Sequence, residues 1–500
     1  MQKKKNLLYI FADQWRYHAV GAVREDTVFT PNMDAFAQES VCCTNAVSTY
    51  PLCSPHRAAL LTGKYPLSCG MWTNCKTGLD ISPCLAPQEI LISDVLKKHG
   101  YDTAYIGKWH LDSSDLNYYA RPESGCIDWD AYTPPGCRRH GFDFWYSYGA
   151  MDNHLHPHYW TTEGRREDIS KWSVEHETDI LLSYLEDRLT AARSAPFCAF
   201  VSWNPPHPPY DQVPDKHLDL YNRLDFRNNV PDSMRSCAEY RKKMTEYYAA
   251  VSGLDEQFAR IMSFLDEKNL KEDTLIVLSA DHGDCMGSHG LYGKNVWYEE
   301  SIRIPLYVGG GALKAAAAVR EGRFFGEKSV PVETSSSVQR PEEKPVPLPF
   351  VCSALIESCD HMPTLLDLLD IPVPPTVEGV SAADALVAAY VHKEYVHEKK
   401  AAFLCMLPGM PELIEPFKKE GLDSKCYGWR GVRTAEATYV IDNGTAPHCE
   451  QRRLLYDNVR DPYQLNPVEL AADDPRCEQY ESLLRDWCFA YKDFFLFERG

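Results

Sequence analysis

Four polar clusters stand directly after the four clearest strand-like apolar runs of the sequence. They are Asp13-Gln14, Gly107-Lys108-Trp109-His110, Asn204-Pro205-Pro206-His207 and Asp281-His282-Gly283. In open α/β sheets the crevice at the carboxyl ends of the strands is where ligands bind. Each cluster alone is a weak signal. Their shared placement predicts that two acids, an amide, histidines and a lysine meet at one edge of a sheet.

A fifth element is the segment from Cys53 to Gly63, a cysteine loop leading into an apolar, helix-like run. Its C-x-P-x-R spacing places Arg57 one helical turn after Cys53. A helix N-terminus favours a thiolate or an anion, and a guanidinium offers a planar fork to a tetrahedral oxyanion. A buried structural cysteine beside a surface arginine is the alternative, but so specific a pattern rarely arises from composition alone. The segment therefore predicts a nucleophile at Cys53.

Composition and charge limit the classes of function. The chain has 500 residues, of which 44% are hydrophobic and 25% charged, enough for a large core and a second, smaller domain. Its 52 basic and 71 acidic residues give a net charge of -19, which argues against a nucleic-acid partner or an anionic membrane surface. An anionic substrate therefore requires a locally basic pocket.

The first residues of the sequence and the spacing of its cysteines indicate the cellular compartment and the state of the thiols. Three lysines and a short apolar run open the sequence, and we interpret this run as a buried strand because it is too short for a secretory signal. No run approaches the roughly 18 to 20 apolar residues of a membrane span. The 18 cysteines are scattered without paired C-x-x-C spacing, so most are expected to be buried, reduced thiols. We expect a cytoplasmic protein as the sequence stands, or a periplasmic or secreted one if a leader was removed.

The elements that must position these residues alternate between strands and helices, which indicates an α/β fold with a mostly parallel or mixed sheet between helical layers. The predicted strands are 7–12, 103–106, 197–203 and 274–279, and the predicted helices are 88–99, two dozen residues from 172, about 234–265, and 362–369.

Two later segments depart from this alternation. Residues 313–349 become Ala-rich and then Ser/Pro/Glu-rich, which predicts an exposed, mobile insertion within a catalytic domain of residues 1–395. Short strands and turn dipeptides after about residue 400 predict a smaller C-terminal α+β subdomain, residues 396–500, with an antiparallel sheet.

The cysteine segment resembles the signature of the sulfatase family, within the alkaline-phosphatase-like superfamily. The resemblance continues along most of the chain through A-D-Q-W-R, G-K-W-H-L, P-P-H-P-P-Y, S-A-D-H-G-D and D-x-x-P-T-L-L-x-L-L. It implies an alkaline-phosphatase-like α/β/α sandwich with a large mixed sheet and hydrolysis of a sulfate ester. It further implies that a maturation enzyme oxidises Cys53 to formylglycine.

The same resemblance implies a divalent cation, which in this family is usually Ca²⁺. Its ligands would be Asp13, Gln14, Asp281 and His282, with the residue at position 53 also nearby. The commoner family pattern has a second Asp and an Asn where this chain has Gln14 and His282. Because an imidazole nitrogen is better matched to Mn²⁺ or Zn²⁺, those metals are alternatives.

The implied catalytic residues are Cys53, Arg57, Lys108, His110, His207 and Lys294. In the mechanism that we infer, the hydrated aldehyde at position 53 attacks sulfur, and Arg57 with the metal favours ionisation of the attacking hydroxyl. Lys108 and Lys294 balance charge on the sulfuryl oxygens. His207 protonates the leaving alcohol, and His110 takes a proton from the second hydroxyl to expel sulfate.

Candidate substrate-binding residues lie near the signature and between the later motifs: Trp72, Asn74, Arg139, His154, His156 and His158. Aromatic rings stack on sugar faces, while His and Arg hold hydroxyl and sulfate groups. A packed, aromatic-rich loop is the alternative. Together with the resemblance to bacterial carbohydrate sulfatases, these residues favour a sulfated sugar, with 6-sulfated N-acetylglucosamine of a host glycan as the specific expectation.

Three other functions stay open at this point. A phosphonate monoester or phosphodiester hydrolase would use the same nucleophile and a similar metal set. A choline-sulfatase would use the aromatic residues as a cation-binding cage. A glycan-binding relative that is never matured is disfavoured, because all six implied catalytic residues are retained. The sequence indicates no oligomeric state.

Overall fold

The structure is a computed structural model that describes residues 3–76, 79, 83–113, 129–221, 223–324, 348–393, 395 and 397–496. These residues form a ten-stranded mixed sheet with helices on both sides and a separate five-stranded antiparallel sheet. The predicted α/β/α sandwich with a second, antiparallel sheet is thereby confirmed. None of the helices in this part of the chain combines the length and the apolarity that crossing a bilayer requires.

The large sheet contains the first ten strands of the described chain. They are β1 (Asn6–Ala12), β2 (Val41–Val47), β3 (Asp102–Lys108), β4 (Phe144–Tyr148), β5 (His158–Trp160), β6 (Arg166–Asp168), β7 (Phe197–Trp203), β8 (Thr274–Ala280), β9 (Leu306–Gly309) and β10 (Val351–Glu357). Their order across the sheet is β10-β2-β9-β8-β1-β7-β3-β4-β5-β6. The sheet is mixed because β9 and β5 each run antiparallel to both of their neighbours.

Four strands at the centre of this sheet precede the predicted polar clusters. β8, β1, β7 and β3 are consecutive neighbours and pair in parallel. β7 and β8 are buried along their whole length, as is β1 after Asn6. Strands that are covered on both faces read as continuous apolar runs, which is why these strands were detectable in the sequence. Their carboxyl ends therefore lie side by side at one edge.

The helices follow the strands in chain order. They are α1 (Pro31–Ala37), α2 (Cys53–Thr62), α3 (Ile92–Lys98), α4 (Ser173–Thr190), α5 (Asp215–Leu218), α6 (Asp232–Arg235), α7 (Ala238–Glu267), α8 (Glu299–Ile302), α9 (Gly311–Phe324), α10 (His361–Leu368), α11 (Ala383–Tyr390), α12 (Pro411–Lys419) and α13 (Pro475–Ala490). The helix predicted from residue 88 begins only at Ile92, because Leu91 is extended and donates its N–H to the Asp94 carboxylate. The long helix predicted from residue 234 is interrupted at Cys237, which is extended.

The segment predicted to be a mobile insertion, residues 313–349, begins in a helix. α9 packs Ala312, Leu313 and Ala317 into the hydrophobic core. The regular fold therefore continues into this segment, because small and apolar side chains recur on one side of α9. Residues 325–347 of the segment lie outside the described residues.

The second sheet packs beside the cysteine segment. Its strands are β11 (Ala402–Met406), β12 (Trp429–Arg433), β13 (Ala437–Asp442), β14 (Arg452–Asp457) and β15 (Val468–Glu469), all antiparallel. Phe403 of β11 shares a hydrophobic cluster with Tyr50 and with Ala59 of α2. This contact brings the chain that follows β11 close to the start of α2.

Candidate active site

Cys53 is the first residue of α2, a helix that is buried along its whole length. Leu52 before it is extended, so the turn into the helix presents the side chain of Cys53 at the helix N-terminus. The helix ends at Gly63, whose φ of 66° is left-handed. A Cβ at that position would lie 2.9 Å from Cγ1 of Val377. The closing glycine of the signature is therefore required by both backbone conformation and space.

Two lysines, a histidine and a carboxylate surround the sulfur of Cys53. Its Sγ lies 3.1 Å from Nζ of Lys294, 3.4 Å from Nε2 of His282, 3.6 Å from Oδ1 of Asp13 and 3.9 Å from Nζ of Lys108. Burial and Asp13 act to raise the pKa of the thiol, but the two lysines outweigh them and hold this pKa well below its usual value. The environment stabilises a negative charge at position 53.

Arg57 is fully buried beneath the two acids of the site. Its Nη2 lies 3.0 Å from Oδ2 of Asp13 and 3.1 Å from Oδ2 of Asp281, and its Nη1 donates to the Lys108 carbonyl and the Ser202 hydroxyl. Arg57 is absent from the described residues that line the cavity above Cys53. Its guanidinium thus fixes the carboxylates, whereas the sequence suggested a fork directed at an oxyanion.

The residues implied as metal ligands converge. Ligand atoms of Asp13, Cys53, Asp281 and His282 all lie within 4.8 Å of one another. Burial raises the pKa of Asp281 to about 6, and the neighbouring Asp13 carboxylate adds to this. Two carboxylates that destabilise one another in a buried site are suited to a cation. Carboxylate and amide oxygens with one imidazole nitrogen fit a divalent metal.

Gln14 is held with its amide oxygen toward this cluster. Its Oε1 accepts from Nζ of Lys294 at 2.8 Å, and its Nε2 donates to Oδ2 of Asp284 at 2.5 Å. Asp284 also accepts from the Tyr210 hydroxyl and from the backbone N–H of Gly293. Asp284 is not among the predicted site residues, although it closes the S-A-D-H-G-D motif. Its carboxylate determines which end of the Gln14 amide faces the cluster.

Lys108 ends β3 and contacts the residue that follows β7. Its Nζ lies 2.7 Å from Oδ2 of Asp13 and donates to Oδ1 of Asn204 at 3.1 Å. The Asn204 amide nitrogen donates in turn to the Met151 carbonyl. Asn204 belongs to one of the predicted strand-end clusters, although the sequence predicts no individual role for it. It keeps the Lys108 ammonium directed toward Asp13 and Cys53.

Two histidines approach the site from opposite loops. His110, whose φ of 52° is left-handed, has Nε2 3.1 Å from the Cys75 carbonyl, and burial lowers its pKa. His207 has Nδ1 2.7 Å from the Pro208 carbonyl. Because a carbonyl only accepts, this nitrogen carries the proton and Nε2 is left for other partners. Burial, followed by Lys108 and Lys294, holds the pKa of His207 well below its usual value.

A cavity of about 480 Å³ opens above Cys53. Its lining includes four of the predicted catalytic residues besides Cys53, namely Lys108, His110, His207 and Lys294. Asn74 also lines it, and its Oδ1 accepts the backbone N–H of Ser54 at 2.9 Å. The lining is completed by Leu52, Thr73, Trp129, Ala150, Asp152, Asn295, Met406, Leu407, Gly409, Met410, Leu413 and Thr445.

The other predicted substrate-binding residues do not line this cavity. The Arg139 guanidinium donates to the carbonyls of residues 133, 161 and 162. His158 is buried with Nε2 2.9 Å from the Asp130 carboxylate, and His154 contacts the His207 carbonyl through Nε2. His156 is exposed outside the cavity, and Trp72 borders a separate surface groove with Lys425.

One wall of the cavity was missed entirely by the sequence analysis. It consists of the residues around the start of α12, Met406, Leu407, Gly409, Met410 and Leu413, together with Thr445. Gly409 packs so closely on Thr73 that a Cβ there would lie 1.8 Å from Oγ1 of that residue. The segment carries no recognisable motif, so only the packing of the second sheet reveals it.

Comparison with known proteins gives consistent matches over most of the chain. A family model described as Sulfatase matches residues 5–371. An endo-4-O-sulfatase from Bacteroides thetaiotaomicron is 34% identical, over 96% of this chain and 90% of its own length. An ulvan-active sulfatase from Formosa agariphila is 31% identical, over 93% and 76% respectively. A solved 4S-sulfatase structure, reported for glycosaminoglycan metabolism by B. thetaiotaomicron, superposes with a TM-score of 0.80 at 31% identity over 98% of both chains.

Proposed function

Because the chain belongs to the sulfatase family, we propose that it removes sulfate from a sulfated carbohydrate through a formylglycine formed at Cys53. The observation that carries the proposal is the convergence of Lys294, Lys108 and the Asp13 cluster on the sulfur of Cys53 at the base of a cavity. A group at this position can be ionised and can face a tetrahedral anion whose charge the lysines balance.

The nucleophile arises when a maturation enzyme oxidises the Cys53 thiol to an aldehyde, which adds water to give two hydroxyl groups on one carbon. The bound divalent metal supplies Lewis-acid stabilisation of negative charge on oxygen. Lys294 and Lys108 act in the same direction, since their ammonium groups lie 3.1 and 3.9 Å from the side-chain atom at position 53. One hydroxyl gives its proton to the Asp13 carboxylate, whose Oδ1 lies 3.6 Å from the side-chain atom at position 53, and attacks the sulfur of the ester.

The leaving alcohol departs as the bond between sulfur and its oxygen breaks, and His207 donates the proton. His207 must therefore be protonated when substrate is bound. Its pKa is low in the free protein because of burial and the two lysines. An anionic sulfate between these lysines and His207 offsets their effect and raises the pKa of the imidazole.

The second hydroxyl at position 53 releases the product. His110, which lines the cavity, takes its proton, the carbon–oxygen bond to sulfate breaks, and the aldehyde re-forms. Burial keeps the pKa of His110 low, so that it begins this step as a neutral base. A serine or an unmodified cysteine at position 53 lacks the second hydroxyl and has no equivalent exit.

A carbohydrate substrate is supported by the relatives and by the cavity. The relatives are named for 4-O-sulfatase activity and for activity on ulvan. The cavity lining combines polar groups, among them those of Asn74 and Asp152, with apolar side chains around Met410, and this mixture is suited to a ring with hydroxyls on its edge and carbon on its face. The 6-sulfated N-acetylglucosamine expected from the sequence is one member of the set to be tested, beside 4-sulfated galactosamine and sulfated uronate-containing sugars.

The alternative of a choline-sulfatase has little support in the described part of the cavity. Among the described lining residues, Trp129 provides the one indole or phenyl ring. A quaternary ammonium cage needs several such rings around the cation. A phosphonate monoester or phosphodiester hydrolase would use the same nucleophile and a similar metal set, so an activity assay is needed to distinguish it from a sulfatase.

The test is a panel assay on the matured protein. Sulfate release is measured from sulfated mono- and disaccharides, from choline sulfate and from an aryl sulfate, alongside hydrolysis of an aryl phosphodiester. We expect a sulfated sugar to have the highest kcat/KM of all the compounds in the panel. A preference for the phosphodiester, or for choline sulfate, contradicts the proposal.

A further inference from the structure

Lys76 is a buried cation beside the cavity that pairs with no carboxylate of the described residues. The residue is 7% exposed, and its Nζ lies 4.5 Å from the ring centroid of Trp129 and 3.7 Å from Sδ of Met410. Within the described ranges, it forms no ion pair with a carboxylate. Burying an ammonium without an anionic partner is costly. No acidic side chain of the described residues therefore offsets the cost of burying Lys76.

The two neighbours of Lys76 compensate its charge only in part. An indole face attracts a cation through its quadrupole, and a thioether sulfur is a weak acceptor. Trp129 and Met410 both line the cavity, and the Lys76 ammonium contacts both of them without being part of the lining. A group that enters the cavity between these two side chains therefore meets the uncompensated positive charge.

The position of Lys76 relative to Cys53 is fixed by the serine that follows the nucleophile. The Ser54 hydroxyl donates to the His110 carbonyl at 2.6 Å and accepts the backbone N–H of Cys75 at 3.1 Å. The Cys75 carbonyl contacts Nε2 of His110 in turn. Since Ser54 is buried and adjacent to Cys53, this network ties the chain leading to Lys76 to the catalytic helix.

Trp129 spans the space between the catalytic end and Lys76. Its ring centroid lies 6.1 Å from that of His110 and 4.5 Å from the Lys76 ammonium. Because both distances meet at the same ring, the ammonium lies within about 11 Å of the His110 ring. A saccharide that extends from the catalytic end past Trp129 therefore comes close to this ammonium.

The cavity lining also carries a negative charge, that of Asp152. The Asp152 side chain is half exposed, lines the cavity and has Oδ1 3.5 Å from Nδ1 of His207. A carboxylate there accepts sugar hydroxyls and repels an acidic group. A substrate that carries a second negative charge is therefore oriented with that charge toward Lys76 and away from Asp152.

We propose that Lys76 and Trp129 form a subsite for an anionic group, a carboxylate or a second sulfate, on the sugar next to the one whose sulfate is removed. The inference rests on the proposed function and adds to it that the preferred substrate is a polyanionic saccharide. Trp129 supplies the surface against which that sugar packs, and Lys76 supplies the charge.

The experiment compares sulfated disaccharides that differ in one group. The first carries a uronate carboxylate beside the sulfated sugar, the second has that carboxylate reduced to an alcohol, and the third carries a second sulfate instead. We expect the parent protein to prefer the charged disaccharides by about 10- to 100-fold in kcat/KM, which is typical of a charge-assisted contact. In Lys76→Met this ratio falls toward one, chiefly through KM, and Lys76→Arg restores part of it.

Lys425→Met is the matched control, because Lys425 also lies over an indole, 5.1 Å from the Trp72 ring, but outside the cavity. It is expected to keep the parent ratio. Calorimetric binding of the same disaccharides to Cys53→Ala, with and without Lys76→Met, gives a readout independent of turnover.

Each outcome separates the subsite from the activity. An equal kcat/KM for charged and reduced disaccharides in the parent protein overturns the subsite, as does a charge preference that persists in Lys76→Met. Cleavage of aryl sulfate with neither cleavage nor binding of any disaccharide overturns the carbohydrate proposal itself. A large loss of thermal stability in ligand-free Lys76→Met also contradicts the subsite, because removing an unpaired buried charge is not expected to destabilise the fold.

Discussion

The inner and outer ends of the cavity balance their charges differently. At the inner end Arg57 lies between Asp13 and Asp281, and Lys108 contacts Asp13, so that each charge faces an opposite one. At the outer end, Lys76 faces an indole and a thioether. The charges of the inner end are paired without substrate, whereas at the outer end the proposed anionic group of the substrate would supply the counter-charge of Lys76. Chemistry and selection are therefore separable, and substitutions at the two ends should differ in kind.

The largest effect is expected for Cys53→Ser. A serine ester of sulfate has no second hydroxyl through which to break down, so kcat should fall by about 10⁴-fold or more, with at most one slow turnover. Alcohol release should reach one equivalent while sulfate stays on the protein, which mass spectrometry of the peptide detects. Cys237→Ser, at an exposed thiol, is the control and should retain parent activity. Parent-rate turnover by Cys53→Ser contradicts the mechanism.

The next effect separates proton donation from charge balance at the inner end. His207→Gln should lower kcat by about 10²- to 10⁴-fold for sugar sulfates, because the alkoxide then leaves without a proton. An aryl sulfate with an acidic phenol should lose much less. The group must be protonated to act, so the decline of parent kcat as pH rises through the pKa of His207 should disappear in the variant. Equal losses on both substrate types assign His207 to another role.

A smaller effect is expected one layer further from the nucleophile. Asp284→Asn lets the Gln14 amide turn its nitrogen toward the cluster, and this should weaken metal binding by about 10- to 100-fold. Titration of the metal-free protein by calorimetry measures the affinity directly. Tyr210→Phe removes the other side-chain hydrogen bond to the same oxygen but keeps the carboxylate, so its effect should be smaller. An unchanged metal affinity in Asp284→Asn would contradict the role of Asp284 in orienting the Gln14 amide toward the metal.

The smallest effect belongs to the outer wall. Met410→Ala removes apolar surface that faces the substrate ring, and we expect kcat/KM to fall by up to about tenfold, in KM rather than kcat. Leu483→Ala, at an exposed leucine on α13, is the control. If Met410→Ala lowered kcat as much as His207→Gln does, the claim that the outer end affects binding and the inner end affects chemistry would be contradicted.

The inner end was largely predictable from the sequence because its residues follow buried strands. β8, β1, β7 and β3 read as apolar runs, and each delivers its polar cluster to a shared edge as parallel pairing requires. What could not be predicted there is orientation. The Arg57 guanidinium turns toward Asp13 and Asp281 because both carboxylates are buried and need a counter-charge. No spacing rule states which way such a side chain faces.

The outer end was not predictable because it is built by distant packing. Met406 to Leu413 reach the cavity because Tyr50, far away in the sequence, hydrogen-bonds through its hydroxyl to the backbone of Leu407 and shares a hydrophobic cluster with Phe403. The aromatic-rich loops were equally ambiguous. Arg139 hydrogen-bonds to backbone carbonyls, and His158 contacts the Asp130 carboxylate. The residue types alone do not show whether such side chains bind internal partners or a sugar.

The central claim is that turnover depends on an aldehyde at position 53. Preparations expressed with different amounts of a formylglycine-generating enzyme can be compared by mass spectrometry of the peptide that contains this residue. We predict that kcat for sulfate release from a sulfated sugar is proportional to the fraction of aldehyde and extrapolates to zero when that fraction is zero. Full activity in a preparation whose Cys53 is entirely thiol would contradict the claim.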